Sequence, residues 1–160
     1  MKFPVAPTLA AATLIAGVAA DFQIYYEEEL IADTSGGNVV TSIRIFDGEP
    51  SCDDVSSSPS LPDAADASSP GYSRCEGCED MKDIKTWDIE TLELHSSGDW
   101  GHFTMYEAEG YKLTPAGGGP LQGECTRDSG DDYDCTLAVA NMHGTRLFTC
   151  KSPLDGMHAK

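Results

Sequence analysis

Apolar and polar residues alternate along residues 21–31. The apolar positions of one parity are Phe22, Ile24, Tyr26 and Leu30. A period of two, with aromatic and β-branched residues, predicts a strand that buries one face. Residues 39–46 form a second segment of this kind, after turn residues at 33–38 that include Gly36-Gly37. The two segments together predict an antiparallel hairpin.

The alternation stops between residues 49 and 73, where serine, proline, aspartate and alanine dominate. Such a composition offers too little apolar surface to order itself, so the sequence predicts a long mobile loop over 49–73. Cys52 near its start and Cys75 just after its end are placed to tie this loop to the rest of the chain.

Strand patterns return after the loop. They cover residues 87–95, 100–107, 111–114, 121–127, 133–140 and 146–150. The fourth and fifth flank an acidic turn and predict the clearest hairpin. A change of parity near Thr91 predicts a bulge there. One helical turn is predicted over 79–85, with Asp80 as its N-cap, and a continuous helix over 80–94 is the alternative to the strand.

About seven or eight short strands, separated by frequent turns, predict a mainly β fold. The expected architecture is a single-domain antiparallel β-sandwich or small barrel, reinforced by disulfides and carrying one short helix. No internal segment divides the chain into separate domains, because too little sequence precedes the loop at 49–73 to fold alone.

The first residues follow the pattern of a secretory signal. Lys2 precedes an apolar stretch that ends in the small residues Val18-Ala19-Ala20. This predicts a signal peptide over residues 1–20, cleaved after Ala20, and a secreted, extracellular domain over residues 21–160. The alternative is a membrane anchor. A spanning helix needs about 20 mostly apolar residues, and prolines and threonines interrupt this segment.

Six cysteines follow the signal, namely Cys52, Cys75, Cys78, Cys125, Cys135 and Cys150. An even number in a secreted chain predicts a disulfide framework, and spacing alone leaves 15 pairings open. The predicted hairpin would oppose Cys125 and Cys135, which favours that bridge. Cys52–Cys75 and Cys78–Cys150 are then the first choices for the remaining four, with Cys52–Cys78 and Cys75–Cys150 as the alternative.

The chain carries 27 acidic and 10 basic residues. Without Lys2 the mature part has 9 basic residues and a net charge of −18. A field of that sign repels phosphate backbones and anionic lipid, so neither nucleic acid nor a membrane surface is expected as a partner. Basic proteins, divalent cations and polyamines remain compatible. High acidity is also typical of a protein that must stay in solution.

His95 and His102 flank the turn at Trp100, and Glu93 and Glu107 lie near them in sequence. Small secreted ribonucleases and some other hydrolases pair a histidine with a glutamate on a sheet as acid and base, which makes these four residues the catalytic candidates. Polar residues on the solvent face of a strand are the commoner explanation. Neither a cofactor nor a metal is expected.

Two other motifs have structural explanations as well. Cys75-Glu-Gly-Cys78 has the spacing of a redox pair, but it lacks the strand–helix context of that motif and is interpreted as two structural half-cystines. The same spacing is half of a zinc site, without a second half. The acidic turn from Asp128 to Asp134 offers oxygen ligands for calcium, although its order fits a plain turn better.

The Met-Lys-Phe opening, the alanine-rich signal, the short acidic domain and the six cysteines with Cys75-x-x-Cys78 resemble small secreted cysteine-rich proteins of fungi. Many of these are regarded as effectors. The resemblance implies a monomeric interaction protein that binds an extracellular or host protein target. A small secreted hydrolase such as a ribonuclease, and a structural protein of the cell wall or surface, are the alternatives.

Overall fold

The computed structural model describes residues 20–31, 37–78, 83–98, 100–138 and 140–154. In chain order, the strands of this part are β1 (Ala20–Ile31), β2 (Asn38–Phe46), β3 (Leu61–Pro62), β4 (Tyr72–Glu76), β5 (Thr91–His95), β6 (His102–Tyr106), β7 (Thr114–Pro115), β8 (Glu124–Arg127), β9 (Asp132–Thr136) and β10 (Ala140–Ser152). The helix α1 (Cys52–Ser57) follows β2, and 3-10 helices span Ile84–Thr86 and Glu107–Glu109. The strands form two antiparallel sheets, so the predicted mainly β fold class is confirmed.

The larger sheet has the order β3-β2-β1-β10-β8, and β9 also pairs with β10. β1 is its central strand and pairs along its whole length with β10. On the other side of β1, Ile31 lies opposite Asn38 at the end where β1 and β2 are joined. This pairing confirms the first predicted hairpin, although its turn at 32–36 lies outside the described residues.

Two strands, β9 and β8, lie end to end along one edge of β10. β9 pairs with its first half and β8 with its second half. The predicted hairpin between residues 121–127 and 133–140 is therefore wrong, because both segments pair with β10 and not with each other. Residues 128–131 leave the ladder between the two pairings, opposite Arg146 and Leu147, so the acidic segment is an insertion into an edge and not a hairpin turn.

The smaller sheet has the order β4-β5-β6-β7. Its strands begin later than the sequence pattern predicts, at Thr91 for β5 and at His102 for β6. Trp87 and Ile89 are buried ahead of β5, in a segment with no helix or strand, so the predicted bulge near Thr91 is the start of the strand. The alternative of a long helix over 80–94 is wrong for the described residues of that range.

Both sheets contribute to one apolar core. The larger sheet supplies Phe22, Ile24, Ile45 and Phe148, and the smaller sheet supplies Leu92, Leu94, Phe103 and Met105. Aromatic rings join them edge to face, with centroids 5.0 Å apart for Phe22 and Trp100 and 4.7 Å apart for Tyr26 and Trp87. Two antiparallel sheets that share a core are compatible with the predicted sandwich.

α1 packs on a second apolar cluster on the larger sheet. Ser51 begins the helix through a capping box: its hydroxyl accepts from the Asp54 N–H, and the Asp54 carboxylate accepts from the Ser51 N–H. Val55 is fully buried against that second cluster. The other buried members of the cluster are Tyr25, Phe46, Tyr133, Cys135 and Met142. A short helix thus forms here because it is capped and because one side chain docks it.

A buried ionic cluster lies beneath α1. The Glu27 side chain is 1% exposed and accepts hydrogen bonds from Arg44 Nε at 2.8 Å and from the Tyr133 hydroxyl at 2.6 Å. Arg44 Nη1 also donates to the carbonyls of Val55, at 2.6 Å, and Ser58, at 2.5 Å. Burial raises the pKa of the Tyr133 phenol, and its hydrogen bond to Glu27 raises it further. The cluster therefore joins β1, β2 and β9 to the helix.

The segment 49–73 is more structured than its composition predicts. It contains α1 and β3, and it buries Val55, Leu61 and Ala67 almost completely. Leu61 lies opposite Ile43 in the larger sheet. The prediction of a loop that cannot order itself is wrong, because three well-spaced apolar side chains suffice to anchor it. Its mobility stays a prediction.

All six cysteines are paired, as predicted, but none of the three favoured bridges is present. The bridges are Cys52–Cys135, Cys75–Cys78 and Cys125–Cys150. Cys125–Cys135 is wrong because β8 and β9 run end to end, and Cys125 instead lies directly opposite Cys150 across the β8–β10 ladder. Cys52–Cys75, Cys78–Cys150 and their alternative are wrong because α1 places Cys52 over β9, while Cys75 and Cys78 close on each other.

The three bridges restrain very different lengths of chain. Cys52 and Cys135 are 83 positions apart, Cys125 and Cys150 are 25 apart, and Cys75 and Cys78 are 3 apart. In the chain-entropy description, these loops correspond to roughly 4–5, 3–4 and 2 kcal/mol of stabilisation. The bridge at α1 therefore contributes most to holding the fold, and the local bridge contributes least.

Some predictions concern residues outside the described ranges. The predicted signal peptide is one of them, apart from Ala20, which begins β1. The predicted helical turn over 79–85 is described only from Asp83, which caps the 3-10 helix Ile84–Thr86. Among the described residues, no helix has the length and apolar character needed to cross a bilayer.

Candidate functional site

The outer surface of the smaller sheet brings together most of the predicted catalytic candidates. We define the histidine face as Tyr72 and Arg74 of β4, Glu93 and His95 of β5, and His102 and Tyr106 of β6. The register places Arg74 opposite Glu93, and His95 opposite both Tyr72 and His102. Alternation explains this set, because the neighbouring residues Leu92, Leu94, Phe103 and Met105 point into the core.

Glu93 is the centre of the histidine face. Its carboxylate accepts from His102 Nε2 at 2.7 Å and from Arg74 Nε at 2.9 Å. Arg74 also donates to Glu76 through Nη1 at 2.5 Å. Partial burial acts to raise the pKa of Glu93, but the hydrogen bonds and charges of Arg74 and His102 outweigh it, so the pKa is lowered. Glu93 is consequently an ionised acceptor at neutral pH.

The two histidines stack face to face, with ring centroids 4.2 Å apart and an interplanar angle of 4°. His95 Nδ1 lies 3.0 Å from the carbonyl oxygen of Ala67, and because a carbonyl only accepts, this nitrogen carries the proton. The same argument places a proton on His102 Nε2, which faces the ionised Glu93. Each ring is thus oriented by one hydrogen bond that leaves its second nitrogen for another contact.

Glu107 does not belong to this group. It begins the 3-10 helix Glu107–Glu109 after β6, where its backbone N–H donates to the carbonyl of Glu90 at 3.0 Å. The residue that sequence reasoning missed is Arg74, which precedes Cys75 at the end of the predicted loop. Only the pairing of β4 with β5 brings it to Glu93, and no local pattern could have indicated that pairing.

A second candidate lies where the larger sheet extends beyond the smaller one. β1 and β10 have 12 and 13 residues, whereas β4, β5 and β6 have 5 each. The uncovered end carries two adjoining cavities of about 400 and 680 Å³ that share Glu28, Val39 and His143. We call this concave surface the sheet-end groove. Its further lining includes Leu30, Lys85, Asp132, Asp134 and Met142.

The groove combines exposed apolar side chains with acidic ones. Leu30 and Val39 lie opposite each other on β1 and β2 and are 45% and 55% exposed. In the described lining, four carboxylates, those of Glu28, Asp83, Asp132 and Asp134, stand beside a single lysine, Lys85. Lys85 bonds Asp132 at 2.9 Å. The surface is therefore amphipathic, with an excess of negative charge.

The groove also holds a second histidine–carboxylate pair. His143 Nδ1 lies 2.9 Å from Asp134 Oδ1. Sequence reasoning missed this pair, because the last strand was predicted to begin only at Arg146. Both residues are well exposed, and neither is braced by an arginine in the way that Glu93 is.

The acidic segment considered for calcium uses its carboxylates differently. Asp128 and Asp131 both bond Arg146, at 3.1 and 3.0 Å. Asp132 and Asp134 bond Lys85 and His143, as described above. Basic side chains of the protein itself therefore occupy these oxygens, and within the described residues no group of three or more metal-ligating side chains converges.

The fold and the two surfaces define a small, mainly β, disulfide-linked protein, an architecture that fits an extracellular location. Comparison with protein-family models, with curated proteins and with solved structures finds no match to this chain.

Proposed function

We propose that this protein is a secreted, disulfide-stabilised interaction protein of the effector type, which binds an extracellular or host protein target through the sheet-end groove. The observation that carries the proposal is the exposed apolar pair Leu30 and Val39 inside a mostly acidic lining. The partner that fits is an extended protein segment that offers both apolar and basic side chains.

The apolar part of the groove supplies the favourable free energy. Exposed apolar side chains grouped in a concavity mark interaction sites more often than scattered ones do. Leu30 and Val39 belong to neighbouring strands, so one partner side chain can contact both.

The charges supply selectivity. Four carboxylates against one lysine favour a partner with basic residues beside its apolar anchors. The whole chain has a formal net charge of −17, which steers basic proteins toward it and repels acidic ones. Both effects are screened by salt, so association should slow as ionic strength rises.

The test compares two leucines of equal exposure. Leu30 is 45% exposed in the groove, and Leu121 is 47% exposed elsewhere. The oxidised protein is titrated with a synthetic peptide of alternating lysine and leucine, while methyl NMR signals of Leu30 and Val39 are followed. We expect shifts at these methyl groups, lost in Leu30→Glu and kept in Leu121→Glu, and no shifts with a peptide of alternating glutamate and leucine.

A protein captured from host extract must show the same dependence. Capture that Leu30→Glu abolishes and Leu121→Glu preserves supports the groove as the binding surface. Capture that is equal for the two variants contradicts it, and would direct attention to another surface of the molecule.

The histidine face favours a second candidate function, hydrolysis by acid–base catalysis, for example of RNA. A histidine held by an ionised glutamate, beside an arginine that can stabilise developing negative charge, has the groups that this chemistry needs. The described cavities lie elsewhere, and Arg74 is already shared by two glutamates, which is why binding is proposed first.

Ribonuclease and glycosidase assays separate the two functions. For an enzyme we expect turnover that His102→Ala abolishes. His143→Ala, which removes the other histidine–carboxylate pair, is the matched control and should leave turnover unchanged. Turnover that is lost in the first variant alone would replace the binding proposal. Equal, background rates in both variants and the parent protein would remove the enzyme candidate.

A further inference from the structure

The Cys75–Cys78 disulfide differs from the other two bridges in both reach and surroundings. Its cysteines are 3 positions apart, against 83 and 25 for the others. Both are partly exposed, whereas Cys125 and Cys150 are both buried, and in the third bridge Cys52 is exposed and Cys135 is buried. Cys75–Cys78 is thus the one bridge of the three in which both half-cystines contact solvent. It is also the one bridge that does not link distant parts of the chain.

The backbone around this disulfide has other supports. Glu76 pairs with Thr91 at the end of β4, and its carbonyl accepts from the Glu90 N–H at 2.9 Å. Gly77 has a φ of +85°, and a Cβ on it would meet the Asp88 carbonyl oxygen at 1.8 Å. The turn is thus fitted closely against residues 88–90 by backbone contacts, which persist when the sulfur–sulfur bond opens.

We propose that Cys75–Cys78 is a site of thiol–disulfide exchange, selectively opened by a dithiol, either a small molecule or a dithiol protein met outside the cell. A thiolate of the dithiol attacks one sulfur, forming a mixed disulfide and releasing the other cysteine as a thiolate. The second thiol of the reductant then displaces the bound cysteine. The reductant leaves as a disulfide, and Cys75 and Cys78 together take up two electrons and two protons.

Two physical arguments support selectivity. Exchange requires direct approach of the attacking thiolate to a sulfur, which exposure permits at Cys75–Cys78 and at Cys52 but burial hinders at Cys125–Cys150. A disulfide is also harder to reduce when its opening costs the folded state more stability, and the short loop between Cys75 and Cys78 gives the smallest such cost of the three. The interpretation of Cys75 and Cys78 as static half-cystines of separate bridges is replaced, since they form one local pair.

The test titrates the folded, oxidised protein with dithiothreitol, blocks free thiols with iodoacetamide and locates them by peptide mass spectrometry. We expect Cys75 and Cys78 to be labelled together at a reductant concentration roughly tenfold lower than the other four, with an unchanged circular dichroism spectrum. First labelling at Cys125 and Cys150, first labelling at Cys52 and Cys135, or simultaneous labelling of all six would each overturn the proposal.

A single substitution gives an independent measurement. Cys75→Ser leaves the Cys78 thiol beside solvent, and we expect it to form a mixed disulfide with oxidised glutathione, seen as the mass of one added glutathione. A matched variant, Cys150→Ser, leaves the Cys125 thiol buried and should react much more slowly while folded. Equal reaction rates for the two variants would contradict selective exchange at Cys75–Cys78.

Discussion

Glu27 and Glu93 make nearly the same contacts in two very different places. Each accepts from an arginine Nε, at 2.8 and 2.9 Å, and from a second donor, a tyrosine hydroxyl or an imidazole. The Glu27 side chain is 1% exposed beneath α1, whereas that of Glu93 is 15% exposed on the histidine face. Burial, more than the identity of the partners, separates a cluster that supports the fold from one that can meet a ligand.

The difference has an energetic reason. Removing one member of a buried ion pair leaves the other charge buried without a partner, which costs several kcal/mol of stability. In an exposed pair, water solvates the remaining charge and the cost is much smaller. The carboxylates therefore form a graded series in exposure, from Glu27 through Glu93 to the largely exposed Asp134.

Glu27→Ala should lower the free energy of unfolding by about 3–5 kcal/mol, because Arg44 then stays buried without its counter-charge. Urea denaturation measures this change. Glu28→Ala, at the exposed neighbouring position, is the control and should change stability by about 0.5 kcal/mol or less. Equal effects at the two positions would show that the Glu27 cluster does not support the fold.

Replacing Cys52 and Cys135 by alanine should cost about 2–4 kcal/mol, somewhat less than the chain-entropy value because measured losses usually fall below it; this bridge fastens α1 above Glu27. The same measurement on a Cys75→Ala, Cys78→Ala variant should give a clearly smaller loss. Proteolysis between residues 52 and 58 should also become faster in the first variant only. A larger loss in the second variant would contradict the assignment of the long-range restraint to Cys52–Cys135.

Glu93→Gln should cost about 1–2 kcal/mol at neutral pH, through loss of charged hydrogen bonds with Arg74 and His102. Because the folded state lowers the pKa of Glu93, its contribution is fully present above the ordinary value of 4.5 and is lost as pH falls through the lowered folded pKa. The stability difference between parent and variant should therefore shrink on acidification from pH 6 to pH 3. A difference that grows on acidification would refute this sign.

Asp134→Asn should have the smallest effect, within about 0.5 kcal/mol, because the Asp134 side chain is 85% exposed and its pair with His143 is solvated. Thermal unfolding of the parent and the variant in low and in high salt provides the measurement. A loss of stability as large as that of Glu93→Gln would contradict the interpretation of Asp134–His143 as a solvated pair.

The fold class could be predicted because it depends on local patterns. Alternation in residues 21–31 and 39–46 identifies β1 and β2, and their hairpin is correct. The pairing of β8 with β10, in place of β9, could not be predicted, since a compact turn between two consecutive strands is the expected local solution. The true arrangement depends on a long final strand that offers one edge to both.

The candidate site divides in the same way. His95, His102 and Glu93 could be predicted because they lie on β5 and β6, two consecutive strands joined by one short connection. Arg74 could not, because only the pairing of β4 with β5 brings it to Glu93. His143 was missed for another reason: β9 and β10 follow each other closely, but the last strand was predicted to begin only at Arg146. Two disulfides were missed because Cys125–Cys150 depends on the β8–β10 pairing and Cys52–Cys135 on a helix that composition did not reveal. Cys75–Cys78 is a local pair and depends on neither.

The pairing of β1 with β10 has a consequence for the order of folding. Ala20 lies opposite Ser152 and Ile31 opposite Ala140, partners more than a hundred positions apart. Folds dominated by such distant contacts form slowly, because loop-closure entropy must be overcome before any pairing is gained. The central strand of the larger sheet stays half paired until the last strand has been synthesised. During that interval Cys125 has no strand opposite it, so correct oxidation depends on the arrival of Cys150 and not on the cysteines nearer in the chain.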